Sequence, residues 1–387
     1  MSADDVTHER TDRTDRTDRF FRQFFAPEIR DDILSDIEQV LTSGRLMLGP
    51  FNERLEAHAA EFLEQPFAAS VNSCTTALTI ALRHYDVAGF DVLIPAANFI
   101  SAATAVLDAG ARPVLVDVVP ETLSFNLEDL SRKRTPETRG VVWPHLLGIV
   151  SPDWQDIVGF CRDSQLFLVE DCAQALGAEI DGHKAGALGD VACLSFYATK
   201  IVASGSGGML VTSDENLDAR ARRLRLFGRN PKSGQVEETG NDWFLDEFRA
   251  VVAYHHFRQL DTNLDSRRQV AQWYRKQLAD AGGVSFFHSG HDAQPAYYQF
   301  AVLLDEDLDR DQVVRRLKED LQVAAQAYYV PLHGESTLEY LDPGDLVGTE
   351  SLMNRVLCLP LHHELTESDV IYISEAIREV IGRQRDA

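Results

Sequence analysis

The chain has few cysteines, and none of them is placed for a disulfide framework or a zinc site. Five cysteines are spread over 387 residues, at positions 74, 161, 172, 193 and 358, and no two form a Cys-x-x-Cys pair. An odd, scattered set is typical of a protein kept in a reducing compartment. A cytoplasmic location is therefore expected, and no metal site is predicted.

Basic charge is also scarce. The sequence has 37 lysines and arginines against 61 aspartates and glutamates, which leaves a formal net charge of −24. Nucleic-acid phosphates require a field of the opposite sign, so no nucleic-acid partner is expected. An anionic substrate would have to find a local basic patch inside this negative field.

Long apolar runs are missing as well. Pro, Gly or charge interrupts every apolar stretch before it could span a membrane, and the N-terminus has no apolar signal core. Neither a membrane segment nor secretion is expected. Thr-Asp-Arg instead occurs three times within residues 11–19, which predicts a disordered tail over residues 1–22. An aromatic cluster follows, and it should dock on another surface: Phe20, Phe21, Phe24 and Phe25.

From residue 68 onwards, short apolar strands alternate with helices. Strands are predicted at 68–71, 91–95, 113–116, 140–143, 166–169, 191–196 and 208–212. Such alternation is typical of a mainly parallel α/β sheet covered on both faces, in which ligands gather at the carboxyl ends of the strands. We predict a large domain over residues 23–260, a linking helix at 245–265, and a smaller α+β domain over residues 261–387.

One lysine stands out at a predicted strand end. Lys200 follows Ser195-Phe196-Tyr197-Ala198-Thr199 and precedes a glycine turn at 205–208. Lysine loses hydration among apolar neighbours, and its free amine becomes a usable nucleophile for Schiff-base chemistry. Asp171 ends another apolar strand and could keep a heteroaromatic ring nitrogen protonated. Lysine and carboxylate together are the constellation of a pyridoxal phosphate (PLP) site, although a lysine after a strand is more often a surface residue.

Further candidates lie at neighbouring strand ends, and each has a simpler alternative. Ser73, Cys74 and Thr75 lie between a strand and a helix, where backbone N–H groups suit a phosphate, although Ser73 could be only a helix cap. Phe99 could stack on a cofactor ring or belong to the core. Ser195 could bind phosphate or only satisfy backbone groups. Asp171 itself could be a cap or a metal ligand.

The order of these features resembles the DegT/DnrJ/EryC1/StrS aminotransferases, PLP enzymes of fold type I. The resemblance covers residues 28–385. Its strongest markers are Asn72 to Leu78, Glu170 to Ala178, Gly186 to Asp190 and Ser195 to Gly208. It implies a large domain with a mainly parallel seven-stranded sheet between helices, a smaller C-terminal α+β domain, PLP as cofactor and a homodimer.

The resemblance also implies roles for individual residues. Lys200 would bind the cofactor covalently and shuttle a proton, Asp171 would pair with the pyridinium nitrogen, and Phe99 would stack on the ring. Gln174 would lie near the phenolic oxygen or the ring face. Ser73, Cys74, Thr75 and Ser195 would hold the phosphate, and His333 is a weaker candidate for substrate contact.

This chain departs from the family pattern at several positions. Cys74 replaces a glycine in the phosphate turn, and Ser206 replaces a glutamate in the glycine turn. The Asn-Tyr-Arg segment that reaches a neighbouring subunit aligns with residues 242–244, so Asn241 would have to replace its asparagine, and Phe244 removes its arginine. A less charged keto sugar or a keto cyclitol is therefore a credible acceptor.

The expected function is PLP-dependent transfer of an amino group from an amino acid, with L-glutamate as the expected donor, to a keto sugar or sugar-like ketone. Lysine at position 200 favours transamination over the dehydration performed by family members with histidine there. One alternative is a PLP-binding sensor without turnover. Another is a plain nucleotide-binding protein, against which the missing Gly-x-Gly-x-x-Gly counts.

Overall fold

The computed structural model describes residues 16–386, so most of the predicted tail lies outside the described residues. Fifteen strands are formed within this range: β1 Phe67–Val71, β2 Asp91–Pro95, β3 Arg112–Val116, β4 Val118–Val119, β5 Ser124–Phe125, β6 Thr138–Pro144, β7 Phe167–Asp171, β8 Glu179–Ile180, β9 His183–Lys184, β10 Val191–Ser195, β11 Gly208–Thr212, β12 Val284–Ser285, β13 Phe300–Leu304, β14 Gln326–Ala327 and β15 Val356–Leu359.

Twelve α-helices surround these strands within the same range: α1 Pro27–Ser43, α2 Pro50–Phe62, α3 Cys74–His84, α4 Ile100–Asp108, α5 Leu127–Lys133, α6 Trp154–Asp163, α7 Glu215–Leu224, α8 Glu247–Arg258, α9 Leu260–Leu278, α10 Arg310–Glu319, α11 Val347–Arg355 and α12 Glu367–Arg385. Three short 3₁₀ turns lie at Leu146–Gly148, Leu332–Gly334 and Ser336–Leu338.

The larger sheet has seven strands in the order β1-β11-β10-β7-β6-β2-β3. Strands β10, β7, β6, β2 and β3 run parallel, while β11 is antiparallel to both of its neighbours. The predicted mainly parallel α/β sheet is confirmed. In this order β7 and β10 are neighbours, with Asp171 opposite Cys193, so the carboxyl ends of both strands meet at one edge.

Apolar side chains cover both faces of this sheet, because successive residues of a strand point to opposite sides. In β2, Val92 and Ile94 join a core cluster with α3 and α4, whereas Leu93 joins the cluster on the other face with α2 and α8. The central strands are buried throughout, and their near-continuous apolar runs follow from that.

The smaller sheet is antiparallel, with strand order β12-β13-β15-β14, and packs its own core against α9, α10 and α12. The predicted linking helix at 245–265 is wrong as one continuous element, since α8 and α9 meet at Gln259. The side-chain amide of Gln259 is used elsewhere: it accepts from the Ala26 N–H and donates to the Phe24 carbonyl. The domain boundary at 260 stays a prediction.

The N-terminal segment from Arg16 to Phe25 lies across the rest of the protein. Arg16 pairs with Asp369 at 2.8 Å, the Phe20 carbonyl accepts from the Leu361 N–H at 3.2 Å, and Arg22 pairs with Glu364. The structure thus differs from the predicted disordered tail over residues 16–22, because ion pairs and backbone hydrogen bonds hold that part of the segment. The predicted docking of the phenylalanine cluster occurs within the chain itself.

All five cysteines are free and buried. Among residues 16–386, no helix combines the length and apolar character needed to cross a membrane.

Candidate active site

Lys200 lies in the turn that joins β10 to β11. The turn is held by backbone hydrogen bonds, from the Phe196 N–H to the Gly207 carbonyl at 2.9 Å and from the Ala198 N–H to the Gly205 carbonyl at 3.1 Å. The Nζ of Lys200 lies 4.2 Å from the ring centre of Tyr298, which is a cation–π distance. The side chain therefore projects into a cavity of about 500 Å³ at the carboxyl edge of the large sheet.

Asp171 ends β7 and is buried beside this cavity. Burial raises the pKa of its carboxyl group above the usual range, although the Ala173 N–H, which donates to Oδ1 at 3.0 Å, and the charge of Lys200 oppose this. Among the described residues no ion pair neutralises this carboxylate at salt-bridge distance. It is suited to a cationic N–H donor brought in by a ligand.

The N-terminus of α3 lines the same cavity through Ser73, Cys74 and Thr75. The Ser73 hydroxyl accepts from the Thr76 N–H at 3.1 Å, so it caps the helix as well as lining the cavity. Gly208 is required beside it, because a Cβ there would lie 2.4 Å from the Cys74 backbone nitrogen. Backbone N–H groups and the positive end of a helix are suited to a phosphate, so this point is where a phosphate is expected to bind.

The Cys74 thiol lies on the sheet side of this helix start. Its Sγ lies 3.7 Å from Asp171 Oδ1 and 3.5 Å from the Cys193 carbonyl oxygen. Burial, and secondarily the charge of Asp171, raise the pKa of Cys74 well above the usual value. The side chain that replaces the family glycine therefore stays a neutral thiol directed at the buried carboxyl group.

Three further predicted residues border the same space. Ser195 and Phe99 line the cavity, and the Phe99 ring lies 5.1 Å from that of Tyr329. Gln174 lines a smaller space with Phe99, Asp171 and Lys200, and its Oε1 accepts from the Leu147 N–H at 2.8 Å and from the Tyr328 hydroxyl at 3.0 Å. The structure thus brings eight of the ten predicted site residues together.

Asn241 and His333 are not brought to this cavity within one chain. Asn241 is exposed, and its Oδ1 accepts from the Asp242 N–H at 2.8 Å. His333 Nε2 lies 2.5 Å from Glu350 Oε1. Neither residue is among those that line the cavity, so the roles expected of Asn241 and His333 stay predictions.

Sequence reasoning missed a second set of cavity residues. They come from the N-terminal segment and from around the small sheet: Phe20, Phe21, Tyr298, Gln299, Gln326, Tyr329 and Leu361. These residues lie before and after the strand-end motifs in the sequence and share no spacing with them. The only signal was the phenylalanine cluster, which indicated docking but not its target.

A buried His–Glu pair lies directly behind Asp171. His145 Nε2 lies 2.8 Å from Glu170 Oε2, and the Glu170 oxygens also accept from the N–H groups of Gly186, Leu188 and Gly189 at 2.6–2.8 Å. With Cys172, these two side chains offer ligand atoms within 4.8 Å of one another. Four donors already occupy the Glu170 oxygens, so these oxygens are not free to bind a metal ion. The buried Glu170 instead holds the 186–189 turn.

A comparison with protein families decides the identity of this site. Residues 27–378 match the model of the DegT/DnrJ/EryC1/StrS aminotransferase family, which is nearly the whole described chain. The chain belongs to this family. The DegT/DnrJ/EryC1/StrS aminotransferases are PLP-dependent, so PLP is its cofactor and aminotransfer its activity.

Individual relatives share about a third of their residues with this family member. It is 32% identical to the UDP-N-acetyl-3-dehydro-α-D-glucosamine 3-aminotransferase of Acidithiobacillus ferrooxidans, over 93% of this chain and 96% of the relative. It is also 32% identical to the dTDP-4-dehydro-2,3,6-trideoxy-D-glucose 4-aminotransferase of Saccharopolyspora spinosa, over 92% and 95% of the two chains.

Solved structures agree in fold. The aminotransferase TlmJ from Streptoalloteichus hindustanus superposes with a TM-score of 0.85 at 33% identity, covering 94% of this chain and 98% of that one. DesV from S. venezuelae gives a TM-score of 0.86 at 32% identity, covering 93% and 97%. The predicted fold-type I architecture is confirmed.

The residues present fit PLP. A buried carboxyl group without a cationic partner at salt-bridge distance suits a protonated ring nitrogen, a helix N-terminus kept open by Gly208 suits a phosphate, and one lysine faces the space between them. The roles of the individual residues stay predictions.

Proposed function

We propose that the chain transfers an amino group from an amino acid, with L-glutamate as the expected donor, to a keto sugar or sugar-like ketone. The observation that carries this proposal is the placement of Lys200 and Asp171 at the carboxyl ends of neighbouring strands beside one cavity. Both relatives named above are aminotransferases whose names specify nucleotide-linked keto sugars.

Bound PLP would supply an electron sink for the bond-breaking at the substrate carbon. Asp171 would keep the ring nitrogen protonated, and the α3 N-terminus with Ser73, Thr75 and Ser195 would hold the phosphate. Lys200 Nζ would carry the cofactor between turnovers and move the proton at the carbon that bears the amino group. The Tyr298 ring beside Nζ would limit where this amine can swing.

We further propose a cytoplasmic homodimer with a domain boundary at the start of α9. Asn241 is exposed and lies outside its own chain's cavity, which is the position expected of a residue that serves a partner's site. Five buried free thiols are consistent with a reducing compartment.

The test is the visible absorption spectrum of the PLP-loaded protein before and after addition of L-glutamate. The cofactor band should bleach as the amino group moves to the cofactor. Lys200→Ala should abolish turnover. The control Lys184→Ala should not change it, because Lys184 pairs with Glu64 and is not among the residues that line the cavity. Full activity of Lys200→Ala would contradict the assignment. A band that forms but resists every amino donor would favour the sensor alternative.

A further inference from the structure

The cavity around Lys200 has an aromatic wall contributed by the N-terminal segment. Phe20 and Phe21 line the cavity together with Phe99, Tyr197 and Tyr329. Phe21, Phe99 and Tyr197 are 47%, 48% and 55% exposed. Exposed apolar rings gathered around one concave space indicate a ligand surface rather than ordinary protein exterior.

Charge is nearly absent from this space. Among the described residues that line the cavity, Lys200 is the only one with a charged side chain. Among the described lining residues of one chain, no second cation is therefore placed to pair with an anionic group. Hydroxyl groups of a ligand pressed against the Phe20 and Phe21 rings would lose water without gaining a hydrogen-bond partner.

The wall is fixed at both ends. The Gln23 side-chain amide donates to the backbone carbonyl oxygens of Ala198 and Lys200, each at 2.9 Å. The Phe20 carbonyl accepts from the Leu361 N–H. Phe20 and Phe21 are thus held between the lysine turn and the small sheet.

We propose that Phe20 and Phe21 are specificity-determining residues that select an acceptor ring with a deoxygenated, apolar face. The inference rests on the proposed function, because the ligand is taken to be the keto-sugar acceptor. C–H groups of a deoxygenated ring pack on phenylalanine without burying an unpaired hydroxyl, whereas a hydroxylated or acetamido-bearing ring face buries one.

Two probes differ in this property while both carry a nucleoside diphosphate. The first is dTDP-4-dehydro-2,3,6-trideoxy-D-glucose, and the second is UDP-N-acetyl-3-dehydro-α-D-glucosamine. The enzyme converted to its amino form with glutamate should aminate the first with a kcat/KM about tenfold higher than the second. In Phe20→Ala and Phe21→Ala this ratio should fall towards one.

Phe24→Ala is the matched control. Phe24 belongs to the same segment but stacks on His363 at 4.4 Å and is not among the residues lining this cavity. This variant should keep the wild-type ratio. An unchanged ratio in both Phe20→Ala and Phe21→Ala, or a wild-type preference for the acetamido sugar, overturns the proposal.

A second readout separates this proposal from the proposed function. Hydrogen exchange of residues 16–25 should slow when the trideoxy sugar is added and change less with the acetamido sugar. Equal protection by both probes, or none, overturns the wall proposal even where neither sugar is aminated. A wild-type enzyme whose cofactor spectrum does not respond to glutamate or any other amino donor overturns the proposed function instead.

Discussion

The imidazole Nδ1 of His256 accepts a hydrogen bond from the backbone N–H of Ala203 at 2.9 Å, three residues after Lys200. The bond requires an unprotonated Nδ1. Burial lowers the pKa of His256 from 6.5 to about 4. Helix α8 thereby holds the lysine turn through a histidine that must remain neutral.

Stability should therefore fall on acidification. The unfolded chain protonates this histidine near pH 6.5 while the folded protein does not until about pH 4, so its contribution is complete above 6.5 and is lost between those values. The loss amounts to roughly 3 kcal/mol at most. His256→Asn should flatten the urea-unfolding profile over this window, and His291→Asn, at a fully exposed position, should leave it unchanged.

Asp171→Asn should raise the stability of the cofactor-free protein and lower its activity with PLP. Burial raises the pKa of this carboxyl group, so ionisation in the folded, cofactor-free protein lowers stability as the pH rises through that pKa. The asparagine variant should have a higher Tm than the wild type at pH 7 without PLP. With PLP its turnover should be lower by about 10²–10³-fold, by analogy with the loss of one preorganised electrostatic contact. A cofactor-free variant less stable than the wild type would contradict this account.

Gly208→Ala should damage the phosphate cradle. The added Cβ would lie 2.4 Å from backbone atoms of Ser73 and Cys74, so the start of α3 must move. We expect a loss of about 1–3 kcal/mol in unfolding free energy and weaker PLP binding in a fluorescence titration. Gly382→Ala in α12, where the new Cβ meets nothing within 4 Å, is the control and should be neutral or slightly stabilising. Unaltered PLP affinity in Gly208→Ala would show that the cradle lies elsewhere.

Glu170→Gln should destabilise the protein although Glu170 is not among the residues that line the Lys200 cavity. The side-chain NH2 group of the glutamine would face backbone N–H groups that donate to the Glu170 carboxylate in the wild type. The expected loss is about 3 kcal/mol by chemical denaturation, because buried donors are left without an acceptor. Glu64→Gln removes an exposed carboxylate beside Lys184 and should cost less than about 0.5 kcal/mol. Equal effects of the two substitutions would refute the structural role of Glu170.

The strand-end motifs could be predicted from the sequence because each lies within a few residues of a short apolar run, and such a run identifies a buried strand. Asp171 and Lys200 follow from that pattern, and so does their meeting at one edge of a parallel sheet. The aromatic wall was not readable. Phe20 and Tyr329 are brought together by the docking of segments more than 300 positions apart, and no local period encodes such packing. The break at Gln259 was not predicted for a related reason, because the Gln259 side chain bonds to the distant N-terminal segment as well as to Asn263 in α9.

The pairing of Phe20 with Leu361 and of Arg16 with Asp369 has a consequence for biosynthesis. A nascent chain can assemble the seven-stranded sheet once residue 212 has left the ribosome. The docking of residues 16–20 must wait for Leu361 and Asp369, which are made at the end of translation. Until then the Phe20 carbonyl lacks the Leu361 N–H, and Arg16 lacks Asp369. A chain that ended before residue 361 would lack both of these partners of the N-terminal segment.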